Sequence, residues 1–150
     1  MELNVNISQS SGDLVTLNDM HSNTISGHIG MKLTIVGPDF IVGTLPVDQR
    51  TVQPFGLLHG GASIVLAETL GSLASYFLVS HIKGVKVAGV EVSGSHLRPL
   101  TSGKATGVCR PLRIGRTMHF WKIAISDDRG RLCCDARLTV HVSRPEAPGE

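Results

Sequence analysis

The chain has 150 residues, a hydrophobic content of 41% and a net charge of +2, which suits one globular core and excludes a disordered or polyelectrolyte segment. Aromatics make up only 4%, too few for the stacking platforms of a nucleic-acid binder. Three cysteines, Cys109, Cys133 and Cys134, are an odd count without a C-x-x-C pair, so neither a disulfide framework nor a metal knuckle is expected.

The first residues, MELNVNISQSSGD, show neither the basic start nor the apolar run of a signal peptide, and with the free cysteines they favour a cytoplasmic setting. One domain over 1–150 is expected, with 1–24 and 144–150 as peripheral tails. Leu14, Leu17 and Met20 predict a short helix within Asp13–Asn23. HIGMKLTIVG and FIVGTLPVD read as two strands around a Gly37-Pro38-Asp39 turn. Residues 60–80 form a long apolar run rich in Ala and Leu, too long for a strand, and predict a helix. After it come VKVAGVEVSGSHL, KATGVCRPL, TMHFWKIAIS and RLCCDARLTVHV, four further strands. In the last, Leu132, Cys134, Ala136, Leu138, Val140 and Val142 alternate onto one face, and Asp127-Asp128-Arg129-Gly130 is a hairpin turn.

That order predicts an α+β fold: one curved antiparallel sheet whose apolar face is covered by a single long helix. The helix is apolar all round, so a second surface is needed on its far side. From Thr51 to Ile82 the only Asp, Glu, Lys or Arg is Glu68. A carboxylate at the centre of a membrane span costs ~3 kcal/mol on insertion scales, and the flanking strands read as a soluble sheet, so no membrane is expected. An isolated carboxylate in apolar surroundings is either paired with something distant in sequence or there for chemistry.

Charge is uneven along the chain. Residues 1–82 hold two basic groups against six acidic, and residues 83–137 hold eleven basic against four acidic. The bland account is a set of solvated strand faces; the sharper one is a seat for a small phosphorylated ligand.

QPFGLLHGGASIVLAE, followed after the helix by HLRPL and DDRGRLCCDARLTV, resembles the hotdog-fold acyl-CoA thioesterases. It is closest to the branch of 4-hydroxybenzoyl-CoA, dihydroxynaphthoyl-CoA and proofreading thioesterases with a catalytic Glu on the central helix. The resemblance covers roughly residues 25–143. It implies a homodimer or homotetramer with antiparallel central helices, an active site at the subunit interface and no cofactor. The spacing supports a shared site independently: Gly60 and Glu68 are eight residues apart, ~12 Å along a helix axis, too far for one thioester carbonyl to touch both.

By resemblance Glu68 is the catalytic carboxylate, as nucleophile or as general base on water, and both remain open. The Gly60 N–H, at the positive end of a helix, is the oxyanion donor. Gln53 polarises the thioester or positions water, His59 orients the loop or binds the thioester, and Ser72, one turn after Glu68, places the carboxylate or water. Ser72 is not a nucleophile, because G-x-S-x-G is absent. His96, Leu97, Arg98 and Pro99, with Arg113, Gly115, Arg116 and Thr117 at a strand–turn–strand corner, match nucleotide and pantetheine contacts, where guanidinium and turn amides suit phosphate. Phe55, Leu58, Tyr76 and Met118 are possible acyl-pocket residues, with ordinary core as the simpler account. The expected reaction is hydrolysis of an aromatic or medium acyl-CoA. The alternatives are a thioesterase acting on acyl groups held by a carrier protein, a non-catalytic acyl-CoA sensor, and, least favoured, a dehydratase of the same fold.

Overall fold

In the computed structural model, residues 6–10 and 12–145 are described; the end of the expected C-terminal tail, 146–150, lies outside them. The described residues form α1 (Leu14–His21), α2 (Ile25–His28), β1 (Lys32–Val36), β2 (Ile41–Pro46), α3 (Gly60–Val79), β3 (Lys86–His96), β4 (Lys104–Ile114), β5 (Met118–Ser126) and β6 (Leu132–Ser143). The strands make one antiparallel six-stranded sheet in the order β1-β2-β4-β5-β6-β3. The expected single sheet and single long helix are both found.

The alternation of β4, β5 and β6 decides which face meets α3. Ala105, Cys109, Trp121, Ile123, Ile125, Ala136, Leu138 and Val140 point inward and are buried, as are Leu66, Ala67, Leu70, Ala74 and Phe77 of the helix. Full burial of each large apolar side chain contributes roughly 1.5–3 kcal/mol, so this interface accounts for most of the sheet's anchoring. Leu132, expected on the inner face, is 40% exposed while Cys133 is buried. The register shift between Ile125 and Ser126 changes which residues face inward where β6 begins.

The N-terminal segment is not a loose tail. Ile7 is fully buried and donates its N–H to Pro38 O at 2.7 Å. Asp13 caps α1 by accepting from the Thr16 N–H at 2.9 Å, the usual way to satisfy an orphan helix donor. Asn18 exchanges two hydrogen bonds with the Leu33 backbone, and Ser26 Oγ lies 3.1 Å from Thr69 Oγ1 on α3. These ties hold α1 against β1 and α2 against one flank of α3. The helical turn at Ile25–His28, absent from the sequence reading, shortens the first strand to Lys32–Val36.

Beneath the far end of α3, Ser75 Oγ accepts from Trp121 Nε1 at 2.7 Å and lies 3.1 Å from His119 Nδ1. Burial drives the His119 pKa down to about 4, against a raising hydrogen bond to the Gly115 backbone, with Arg144 adding a smaller lowering push. The neutral ring then accepts from the Ser75 hydroxyl. The unfolded chain binds the extra proton below its ordinary value near 6.5 and the folded one does not until about 4, so this group's contribution is full above pH 6.5 and lost as pH falls toward 4. That difference is worth up to ~3 kcal/mol. In urea unfolding, His119→Gln is expected to be less stable than wild type at pH 7, and the gap is expected to narrow steadily between pH 6.5 and 4. A gap that stays constant over that window would contradict a buried neutral His119.

Candidate active site

The first turn of α3 is built around one free donor. His59 is the N-cap, and its Nδ1 accepts from the Gly61 N–H at 2.8 Å. The His59 carbonyl accepts from Ala62 at 2.9 Å and Ser63 at 3.4 Å. Of the leading amides, Gly60 N–H has no partner among the described residues, and it lies at the positive end of a 20-residue helix. A Cβ at Gly60 would come within 2.8 Å of His96 Nε2. His96, the last residue of β3, thus lies across Gly60, and a side chain there would have to displace its ring.

Gln53 sits in a tight turn before this helix. Its N–H donates to Leu57 O at 2.8 Å, its carbonyl accepts from Gly56 at 2.9 Å, and Gly56 has φ +81°. Its side-chain Oε1 accepts from the Phe55 N–H. That bond fixes the amide orientation and leaves the Nε2 hydrogens to donate. Gln53 can therefore donate to a carbonyl through its free amide hydrogens, while its acceptor is spent locally. Gln53, Leu57, Leu58, Gly60, Ser63, His96, Leu97, Arg98 and Pro99 line one cavity of about 320 Å³, walled behind by Cys133 and Cys134. Burial pushes both thiols above the ordinary cysteine range, so they are neutral wall, not nucleophiles.

Glu68 and Ser72 lie elsewhere. They line a second cleft of about 490 Å³ with His21, Thr24, Ile25 and Ser26 from the N-terminal helices, Val65, Thr69, Leu73 and Tyr76 from α3, and Val87 from β3. The Glu68 carboxylate lies over Gly89, where a Cβ would come within 2.7 Å of its Oε1. It has no hydrogen-bond or ion-pair partner among the described residues. The reading of Glu68 as a structural ion pair finds no cation to support it among the described residues.

The residues matched to phosphate contacts are also divided. Leu97 and Arg98 donate their N–H groups to Cys133 O at the start of β6, whereas Val142 near its end donates to Thr117 O, and Arg144 Nε to Arg116 O at 3.2 Å. From 133 to 142 is ~30 Å of strand. Arg113, Gly115, Arg116 and Thr117 therefore occupy the opposite end of the sheet from His96, Leu97, Arg98 and Pro99. Among the described residues no group of His, Cys, Asp and Glu is placed to hold a metal.

Sequence reasoning missed His21, Thr24, Ile25, Ser26 and Val87 as neighbours of Glu68. Only the short helix around Leu14–His21 gave a sequence signal, and nothing in it pointed toward α3. Leu58 and Tyr76 do line the two cavities. Met118 lines neither of them, and Phe55 stands 89% exposed.

One helix laid across a curved antiparallel sheet, with an unpaired carboxylate at mid-helix and a free amide at its start, defines the hotdog fold with a site suited to acyl chemistry. The profile of the Thioesterase superfamily matches residues 55–134. The chain is 48% identical over 129 residues to the proofreading thioesterase EntH of Cronobacter turicensis, covering 86% of this chain and 93% of that one. It is 44% identical over 129 residues to the 1,4-dihydroxy-2-naphthoyl-CoA hydrolase of Escherichia coli, with coverage of 86% and 93%. Its fold matches the crystal structure of a Haemophilus influenzae thioesterase with a TM-score of 0.84 at 43% identity, covering 88% and 91% of the two chains. A Pseudomonas aeruginosa thioesterase, crystallised as a mutant, gives 0.85 at 45% identity, covering 88% and 94%. The chain belongs to the thioesterase superfamily, and it is a thioester hydrolase.

Proposed function

We propose that the protein hydrolyses acyl-CoA thioesters, with an aromatic or medium acyl group, at a site formed by two copies of the chain. The observation that carries this reading is the separation of the free Gly60 amide from the unpaired Glu68 carboxylate along one helix. Each lies over a known position of the same strand: Gly60 at His96, Glu68 at Gly89. That strand, β3, is a sheet edge of eleven residues, largely exposed. A long open edge is a template for pairing.

Antiparallel pairing of β3 with its copy has a constrained register. A two-fold axis normal to the sheet keeps each face on its own side, so paired residues must share a face. Val87, Gly89, Val92, Gly94 and His96 face α3, and the shift between Gly89 and Glu91 adds one residue at Val90. An axis at Ser93 sets Val92 opposite Gly94 of the partner subunit and Glu91 opposite Ser95 of the partner subunit. The extra residue at Val90 then brings Gly89 level with the partner's His96. Glu68 of one chain thereby meets the partner's Gly60 and the partner's Gln53. The same axis brings the partner's Arg116 corner to the Arg98 end of the site, three strand spacings, ~14 Å, across the joined sheet.

In that site the thioester carbonyl accepts from the Gly60 amide and the Gln53 Nε2, which stabilise the oxyanion as it forms; one such donor is worth roughly 3 kcal/mol. Glu68 either attacks the carbonyl carbon, giving an anhydride that water opens, or takes a proton from an attacking water. In both routes the C–S bond breaks and the thiolate leaves with a proton. Ser72, one turn on, is placed to orient the carboxylate or the water. An acyl group delivered on a carrier protein would meet the same exposed Arg98 end. A larger loss with carrier-bound substrate than with CoA ester on Arg98→Ala would favour that source.

Glu68→Gln preserves size while removing nucleophilicity and basicity. Steady-state kinetics with thiol detection are expected to show kcat at least ~10²-fold lower, with the folded assembly intact by sedimentation; near-normal turnover would sink the assignment. The register is tested separately. Ser93→Cys places two thiols across the axis, where facing Cα atoms in an antiparallel pair are about 4.5–5.5 Å apart, within disulfide reach. Mild oxidation is expected to yield an active covalent dimer on non-reducing gels. A variant that stays uncrosslinked while dimeric would contradict the axis at Ser93.

A further inference from the structure

The most exposed large apolar side chain among the described residues is Phe55, at 89%. Isolated exposed apolar groups are common, but this one is held out by a rigid turn. The Gln53–Leu57 and Gly56–Gln53 backbone bonds, the Phe55 N–H bond to Gln53 Oε1 and the Leu58 N–H bond to Leu100 O at 2.8 Å leave the loop little freedom to fold it inward. The Glu68 cleft has the converse feature. Its walls, Ile25 at 61% exposure, Tyr76 at 47%, Val65, Leu73 and Val87, are mainly apolar and open on one side. Phe55 does not line the cleft of its own chain. It belongs to the Gly60 end, ~12 Å along the helix from Glu68.

We infer that Phe55 acts in trans: carried in with the Gly60 loop, the partner's Phe55 closes the open side of the Glu68 cleft and forms one wall of the acyl pocket. The inference rests on the shared-site reading. It assigns acyl selectivity to two elements of different chains, the Phe55 turn of one and the α1–α2 flank with Tyr76 of the other. A cavity of about 150 Å³ holds a benzene ring, so a cleft of about 490 Å³ closed by an aromatic lid suits an acyl group of one ring or more. A two- or three-carbon acyl group would not reach the lid.

Phe55 is exposed, so its truncation leaves the core intact, which a thermal melt checks. In Phe55→Ala, kcat/KM for benzoyl-CoA is expected to fall about tenfold or more, and for propionyl-CoA less than about twofold. Mixed dimers, isolated with two tags, separate trans from cis. Phe55→Ala paired with Glu68→Gln leaves one working carboxylate, which receives an intact Phe55 from the partner; its benzoyl-to-propionyl ratio should be that of wild type. The double variant Phe55→Ala/Glu68→Gln paired with wild type leaves one working carboxylate facing the altered loop, and its ratio should drop. The opposite pattern, or an unchanged ratio in the Phe55→Ala homodimer, overturns the inference while leaving the shared site standing. Full activity of the Glu68→Gln homodimer would mark failure of the underlying reading and remove this inference with it.

Discussion

The packing of α3 on β3 is the constraint from which the rest follows. Two glycines of the strand, Gly89 and Gly94, admit Glu68 and Ile64, and the strand's last residue, His96, lies over Gly60. This interlock fixes where the carboxylate and the free amide stand relative to the sheet edge. Because both ride on one rigid helix, no side-chain motion within the chain brings them together. On the proposed reading, the chain carries two half-sites facing the same way, and an antiparallel second copy makes them whole.

The same geometry explains features that look unrelated in one chain. A long exposed edge strand, an unpartnered carboxylate, a Phe held outward and a basic corner far from Arg98 are each costly or idle alone. An exposed edge invites aggregation, and a half-buried carboxylate among apolar side chains has no cation beside it among the described residues. In the proposed pairing about one axis, these features come together at the shared site. On the same reading, the α1–α2 flank, tied down by Asn18, Ser26 and Leu17, is the fixed wall of the proposed acyl pocket.

Much of this was legible in the sequence, and the reasons differ from element to element. The helix at 60–80 and the strand at 132–143 announced themselves by length and alternation, and their ends fall within a residue of the reading. The eight-residue gap between Gly60 and Glu68 already set the two groups too far apart on one helix to meet at one carbonyl. Other parts were illegible for physical reasons. The helical turn Ile25–His28 is too short to show a period. The bulge at Val90 leaves no composition signal in VKVAGVEVSGSHL. His119 looks like any strand residue until Ser75, 44 residues away in sequence, comes to lie against it. Gln53 could be placed by resemblance, but the direction of its amide could not, because the Phe55 bond that fixes it is a matter of turn geometry.

The claim that the active site is completed by a second copy is tested most directly by complementation. Gly60→Val and Glu68→Gln, each assembled alone, lack an intact site. Co-assembled, each mixed dimer has one site with the Gly60 amide of the Glu68→Gln chain and the carboxylate of the Gly60→Val chain. Turnover measured with thiol detection is then expected to recover to about a quarter to a half of wild type per dimer, depending on how far mixed pairs are enriched. Mixed dimers that stay inactive although both variants fold and assemble would contradict the account.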